Sequence, residues 1–227
     1  MQNELLFAAE IIASFLLIIL AYKLFGKIGL YVWTAMAVLL ANLQVYKTIE
    51  IFGMVTALGN VIYSSTFLVT DILEEKHKVR DAQKAVWIGF FVLITTTLLM
   101  QLALMFIAHE SDQTGSHLQA LFQLFPRIAF ASLTAYFISQ FHDVWVFNTM
   151  RNLTNGKYLW LRNNVSTILS QLIDNTTFTL IAFWGVLEWQ IIWEIWLTSI
   201  ILKIIISISD TPFLYWAKRM KKVGILS

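Results

Sequence analysis

Residues 127–151 read RIAFASLTAYFISQFHDVWVFNTMR. The stretch is mostly apolar and long enough to cross a bilayer, which takes about 20 such residues in a helix. It nevertheless carries Arg127, Ser132, Tyr136, Gln140, Asp143 and Asn148. Polar groups in hydrocarbon cost free energy unless something satisfies them. On a helix each residue advances about 100°, so positions three, four and seven apart share a face. Ser132, Tyr136, Ser139, Gln140 and Asp143 then fall within one half of the helix. A helix of this kind turns its polar stripe toward other helices. Arg127 points the other way, near an end, where it can snorkel.

The rest of the chain follows the same pattern. Of 227 residues, 58% are hydrophobic and only 13% charged, too little charge to coat a soluble domain of this size. Apolar runs separated by short charged stretches predict an all-α membrane protein, a single integral membrane domain over residues 1–227. It has about seven transmembrane spans, at 5–22, 29–46, 55–73, 86–108, 125–149, 164–186 and 190–215. The third, VTALGNVIYSSTFLVTDIL, is the least hydrophobic.

The basic residues test this layout independently. Lys23 and Lys27 fall between spans one and two, and Lys76, Lys78, Arg80 and Lys84 between three and four. Arg151, Lys157 and Arg162 fall between five and six, and Lys218, Arg219, Lys221 and Lys222 after the seventh. The opposite side has Lys47 alone, while Arg127 and Lys203 lie inside spans. Cytoplasmic loops carry the excess of Lys and Arg, so the N-terminus is expected outside and the C-terminus inside, in the cell membrane. Trp184, Trp189, Trp193 and Trp196 surround the outer turn between spans six and seven, as an interfacial belt would. Glu4 and Glu10 replace the basic start of an ordinary cleavable signal. The charged stretch EEKHKVRDAQK at 74–84 reads as a solvated loop that fixes orientation.

Further stripes line the other spans. Span six has Thr167, Ser170, Gln171, Asp174 and Thr177; span three has Asn60, Ser64, Phe67 and Asp71. Span seven has Ser199, Lys203, Ser207 and Asp210, and span two contributes Asn42 and Gln44. Four helices with one polar face each predict a bundle around a polar interior. Lone Ser and Thr residues in such stripes ordinarily only hold helices together. Charges at that depth are expensive and mark a substrate or ion path, which singles out Asp71, Asp174 and Lys203. Asp174 and Lys203 lie at nearly the same depth on adjacent antiparallel spans and are expected to form a buried ion pair. Arg127 and Asp143 are the other candidates for ion pairing or coupling.

Cysteine is absent, which excludes disulfides and thiolate metal sites. No HExxH, GxSxG, Walker A or GxGxxG pattern occurs. The four histidines lack metal-ligand spacing. Nothing calls for catalysis, a metal or a cofactor, and without an ATP site any active transport draws on an ion gradient or another subunit.

Three segments carry a resemblance. FLVTDIL at 67–73 closes a span with a Thr-Asp pair. The stretch at 127–151 has Arg-Ile-Ala, Ala-Ser, Ala-Tyr, Gln and Asp-Val, then Val-Phe-Asn and Arg. STILSQLIDNTTFTLIAFW at 166–184 completes the set, with weaker support from Asn42 and from LKIIISI around Lys203. Together they resemble the queuosine precursor transporter family, small integral membrane proteins linked to vitamin uptake. The resemblance implies import of 7-deazaguanine bases, the 7-cyano or 7-aminomethyl forms or queuine, for tRNA modification. The carrier itself would meet a small-molecule substrate and the lipid bilayer, not nucleic acid, and a homo-oligomer fits this class. The last six spans would resemble the substrate-binding subunits of energy-coupling-factor transporters.

A guanine-type edge presents two adjacent donors, which a carboxylate accepts together, and a carbonyl that needs a donor. Asn42, Asp71, Tyr136, Gln140, Gln171 and Asp174 are therefore the candidate substrate-binding residues. A carrier for another vitamin-like solute, or a non-transporting subunit of a larger complex, remain the alternatives.

Overall fold

The computed structural model describes residues 2–186, 188–221 and 223–224. The chain is 81% helical. Seven long helices stand close to the expected spans: α1 (Gln2–Phe25), α2 (Lys27–Gln44), α3 (Asn60–Lys76), α4 (Val79–Leu104), α6 (Phe125–Leu153), α7 (Leu159–Phe183) and α8 (Trp189–Arg219). A short α5 (Gly115–Phe122) precedes α6. Asp112 caps α5 by accepting from the backbone N–H groups of Thr114 and Gly115 at 2.9 and 2.8 Å. Those bonds hold its carboxyl below the ordinary carboxylate range.

Of these helices, α1, α4, the α5–α6 segment and α8 are long and apolar enough to cross a membrane by themselves. The remaining long helices are shorter or more polar. α2 and α3 have 18 and 17 residues, and α7 carries a polar stripe that it packs inward against α6 and α8.

Two elements depart from expectation. Residues 55–59 do not begin the third span. Strands β1 (Thr48–Ile51) and β2 (Met54–Ala57) form an antiparallel hairpin, with Thr48 opposite Ala57. The Phe52-Gly53 turn has φ of 53° and 74°, the positive values a two-residue hairpin needs. The Ile-Glu-Ile and Val-Thr-Ala alternation suits a strand and not a helix. The stretch 74–84 is not a solvated loop either. α3 continues through Lys76 and α4 begins at Val79, and both Glu74 and Asp81 are buried. Asp81 accepts from Tyr31 at 2.9 Å and from Lys27 at 3.4 Å, which lets charge sit within the packed helices.

Successive long helices run antiparallel and give the molecule two ends. At one end lie the hairpin, α5 and the α7–α8 turn. There Asn3 of α1 donates to the Glu50 carbonyl at 2.9 Å. At the other, Lys76 donates to the Lys218 and Met220 carbonyls at 3.1 and 3.0 Å, and the Gly224 N–H donates to the Lys23 carbonyl. The residues of the basic set collect at this second end; Lys222 lies outside the described residues.

Much of the surface is apolar, and a polar interior sits beside the hydrophobic clusters. Leu98, Phe91, Phe130 and Ile208 point outward, while Ser139, Gln140, Thr167 and Asp174 are buried. Apolar groups outside and polar groups inside suit a hydrocarbon solvent. Gly59 marks a close approach, because a Cβ there would stand 2.5 Å from the Ala41 carbonyl oxygen. That contact joins the end of α2 to the start of α3.

Candidate functional site

Near the hairpin end, α2, α3, α6, α7 and α8 leave a cleft of about 590 Å³, counting the space at its mouth. Asn42, Asn60, Ser132, Asn175 and Thr179 supply its polar walls, and Phe178, Phe183 and Ile195 its apolar ones. The Asp174–Lys203 pair lines it as well. Lys203 Nζ stands 2.7 Å from Asp174 Oδ2. Tyr63 donates to Asp174 Oδ1, and Ser139 reaches the same oxygen at 3.4 Å. The ammonium also lies 5.1 Å from the centre of the Tyr63 ring. One carboxylate thus gathers an ammonium and two hydroxyls, which offset the cost of removing both charges from water.

The side amides of the cleft are held in place. Asn42 donates to the Val38 carbonyl at 2.8 Å and accepts from Ser132 at 2.6 Å. Asn60 donates to the Thr56 hydroxyl and the Ala57 carbonyl, both at 3.1 Å. Asn175 donates to the Trp196 carbonyl at 2.8 Å.

Among the expected substrate-binding residues, Asn42 and Asp174 reach this cleft, and Lys203 joins them. The others do not. Tyr136 packs edge-on against Tyr63 and Phe90. Gln140 donates to Thr66 at 3.3 Å. Gln171 is buried with neither side-chain polar atom bonded among the described residues. Asp71 lies deeper still, against Thr167. Helical periodicity gives the angle around a helix, and these residues do face inward. It does not say at which depth the interior opens.

Arg127 is not a buried pairing partner. It is exposed and donates to the Ile181 and Trp184 carbonyls at 3.2 and 2.8 Å. A cation is favourable at the C-terminal end of α7, where carbonyls lack partners within the helix. Asp143 is buried, but no ion pair to it is present among the described residues. Its electrostatic neighbours include Asp71, Glu74 and Asp210.

Tyr63, Asn60, Ser132 and Asn175 had no assigned site role in the sequence. Tyr63 was within reach: it lies three residues after Asn60 and four before Phe67, on the edge of the polar stripe of α3.

Below the cleft the interior is closed at the basic end. Arg162, only 1% exposed, pairs with Glu75. Lys218 pairs with the other Glu75 oxygen at 2.7 Å. Arg151 donates to the Glu74 carbonyl at 3.3 Å. These contacts tie α3, α6, α7 and α8 together beneath the polar interior.

Residues 57–217 match the family model described as "Putative vitamin uptake transporter". A Bacillus subtilis protein named "Probable queuosine precursor transporter" is 42% identical over 210 residues, 92% of each chain. The Escherichia coli "Queuosine precursor transporter" is 30% identical over 63% of this chain and 62% of its own. A Haemophilus influenzae protein, also named "Probable queuosine precursor transporter", is 31% identical over 59% of this chain and 54% of its own. No solved structure matches the chain significantly. With the family model and the Bacillus relative both covering most of its length, the chain belongs to the queuosine precursor transporter family, whose members are multi-pass membrane transporters and not enzymes.

Proposed function

We propose that this protein imports a queuosine precursor, a 7-deazaguanine base, across the cell membrane, and that the base binds in the cleft above Asp174 and Lys203. The observation that carries this reading is the 42% identity across 92% of the chain to a protein named for that substrate. The cleft supports it. It combines a few placed polar groups with apolar walls, as small-molecule sites commonly do. Asp174 accepts the paired ring N–H and amine, Lys203 or an amide donates to the ring carbonyl, and Phe178 and Phe183 offer apolar surface to the flat ring. Asp174 already serves three donors, so an arriving base competes with Lys203 for Oδ2. The ring carbonyl then takes up the Lys203 ammonium, so neither charge is left without a polar partner. The family's description, with its reference to vitamins, makes a vitamin-like solute the second reading.

The chain acts in this reading as one membrane domain. Its hairpin end faces outside and its basic end the cytoplasm, supported by the collection of Lys and Arg at that end. α2–α4 and α6–α8 form the transporting bundle, comparable to substrate-binding subunits of energy-coupling-factor transporters. The cleft is lined by five of these helices and not by α1.

The test is competition for uptake of labelled 7-cyano-7-deazaguanine into cells that depend on this protein. Guanine-type bases should compete, and adenine analogues should be weaker by about 1–3 kcal/mol, roughly five- to 150-fold. Adenine places an acceptor where guanine has its ring N–H, which would face the carboxylate. Equal competition by both classes would reject the carboxylate as the reader of the base.

A further inference from the structure

About 10 Å beyond the Asp174–Lys203 pair, two helical turns along α7 and α8, lies a second polar chamber. Asp71 of α3, Asp143 of α6 and Asp210 of α8 are each no more than 1% exposed. None forms an ion pair among the described residues. Asp210 Oδ1 accepts from Asn163 at 2.8 Å, and Asp71 Oδ2 meets Thr167 at the long distance of 3.5 Å. The hydroxyls of Ser166 and Ser170 approach Asp143, but neither closes a hydrogen bond of ordinary geometry.

A second observation points to a ligand. Asn163 is fully buried, and its amide nitrogen is fixed on Asp210. Its Oδ1, on the same carboxamide beside Asp210, has no partner among the described residues. Ser207 Oγ, one turn before Asp210, is likewise buried and unpartnered. Uncharged oxygens beside carboxylates suit a hard cation. This chamber lies apart from the cleft lining.

The surrounding charges do not neutralise the chamber. Glu74 adds a fourth carboxyl from α3; Arg151 of α6 and Arg162 of α7 lie toward the basic end. Arg162 is already paired with Glu75, and Arg151 with a carbonyl. His142 stands outside, its ring 3.0 Å from Ser170. Several buried carboxylates with so little compensation need further positive charge.

We propose that Asp71, Asp143 and Asp210, with the Asn163 oxygen, form a binding site for a monovalent cation, a proton or Na⁺, that couples substrate movement to an ion gradient. The site rests on the reading of the chain as a carrier and adds its energy source. The cation offsets part of the chamber's negative charge when it enters with substrate, and its release toward the basic end resets the carrier. The chain thereby needs no nucleotide-hydrolysing subunit.

Purified protein in protein-free liposomes provides the test, with labelled 7-cyano-7-deazaguanine and an imposed proton gradient, an Na⁺ gradient or neither. One of the two gradients should drive accumulation above equilibrium. Asp143→Asn should lose that accumulation while still exchanging labelled for unlabelled base. Wild-type exchange with no response to either gradient would overturn the coupling site and leave the substrate reading intact. Absence of any wild-type exchange would count against the substrate reading instead. The site is then decided by melting curves of the detergent-purified protein without base. Na⁺ in place of choline, or acidification, should raise the wild-type melting temperature, with the shift lost in Asp143→Asn and kept in His142→Gln. If Asp143→Asn fails to fold, Asp210→Asn takes its place in both assays. No wild-type shift with either cation, or shifts unchanged in the folded variant, would overturn the proposal.

Discussion

The cleft and the chamber beneath it hold their charges in opposite ways. In the cleft, Asp174 is matched by Lys203 and two hydroxyls and faces an opening. In the chamber, Asp71, Asp143 and Asp210 have no basic partner among the described residues and are roofed at the basic end by the Glu75 pairs. A matched pair is stable when empty and yields to a ligand that brings its own donors. An unmatched cluster is costly when empty and holds what neutralises it. In the proposed account this difference gives the cleft to the substrate and the chamber to an ion, although both are built from the same kind of buried carboxylate.

The largest effect should come from breaking the matched pair. Asp174→Asn leaves the Lys203 ammonium buried without its anion, and stability should fall by about 3–5 kcal/mol, read as a lower unfolding temperature in detergent. Adding Lys203→Met should recover most of that loss, because no charge is then stranded. Transport should not return, since the base loses its carboxylate. A double variant that transports like wild type would reduce the pair to a structural role and erase the distinction from the chamber.

A smaller effect is expected at the roof. Glu75→Gln weakens two charge-assisted contacts, to Arg162 and to Lys218, and should cost about 1.5–3 kcal/mol. It should also open the basic end. A cysteine introduced by Ser207→Cys should then react faster with maleimide in inside-out vesicles than it does beneath an intact Glu75. Equal rates would show that the ion pairs do not close the chamber.

The smallest effect should be remote from both regions. Tyr31→Phe removes the hydroxyl that donates to Asp81 at 2.9 Å. The expected loss is about 0.5–1.5 kcal/mol in stability, with base selectivity unchanged. A change in selectivity would mean that the α2–α4 contact shapes the cleft.

How far the sequence carries this account differs from residue to residue. α1, α4, α6 and α8 are legible because length and hydrophobicity report the membrane directly, and the shorter or more polar α2, α3 and α7 are legible from the apolar runs between charged stretches. The Asp174–Lys203 contact is legible because two antiparallel helices joined by a short turn fix relative depth by counting residues. The hairpin is partly hidden: Val55, Thr56 and Ala57 also read as the start of an apolar span, and only the short strand alternation and the Phe-Gly turn distinguish the two. Asp71, Gln140 and Gln171 face inward as their periodicity says, but their depth relative to the cleft depends on how five helices diverge. No single stripe contains that information. The charged stretch at 74–84 misleads for a related reason. Charge suggests solvent, whereas here Tyr31, Lys27, Arg162 and Lys218 satisfy it within the fold.

The central claim is that the base occupies the cleft at the hairpin end, and the chain's lack of cysteine allows a direct measurement. Ala57→Cys places one thiol on the cleft wall. In intact cells it should react with a membrane-impermeant maleimide, and 7-cyano-7-deazaguanine should slow that reaction, while an adenine analogue should not. A labelling rate unchanged by saturating base, in a variant that still transports it, would contradict the placement of the substrate.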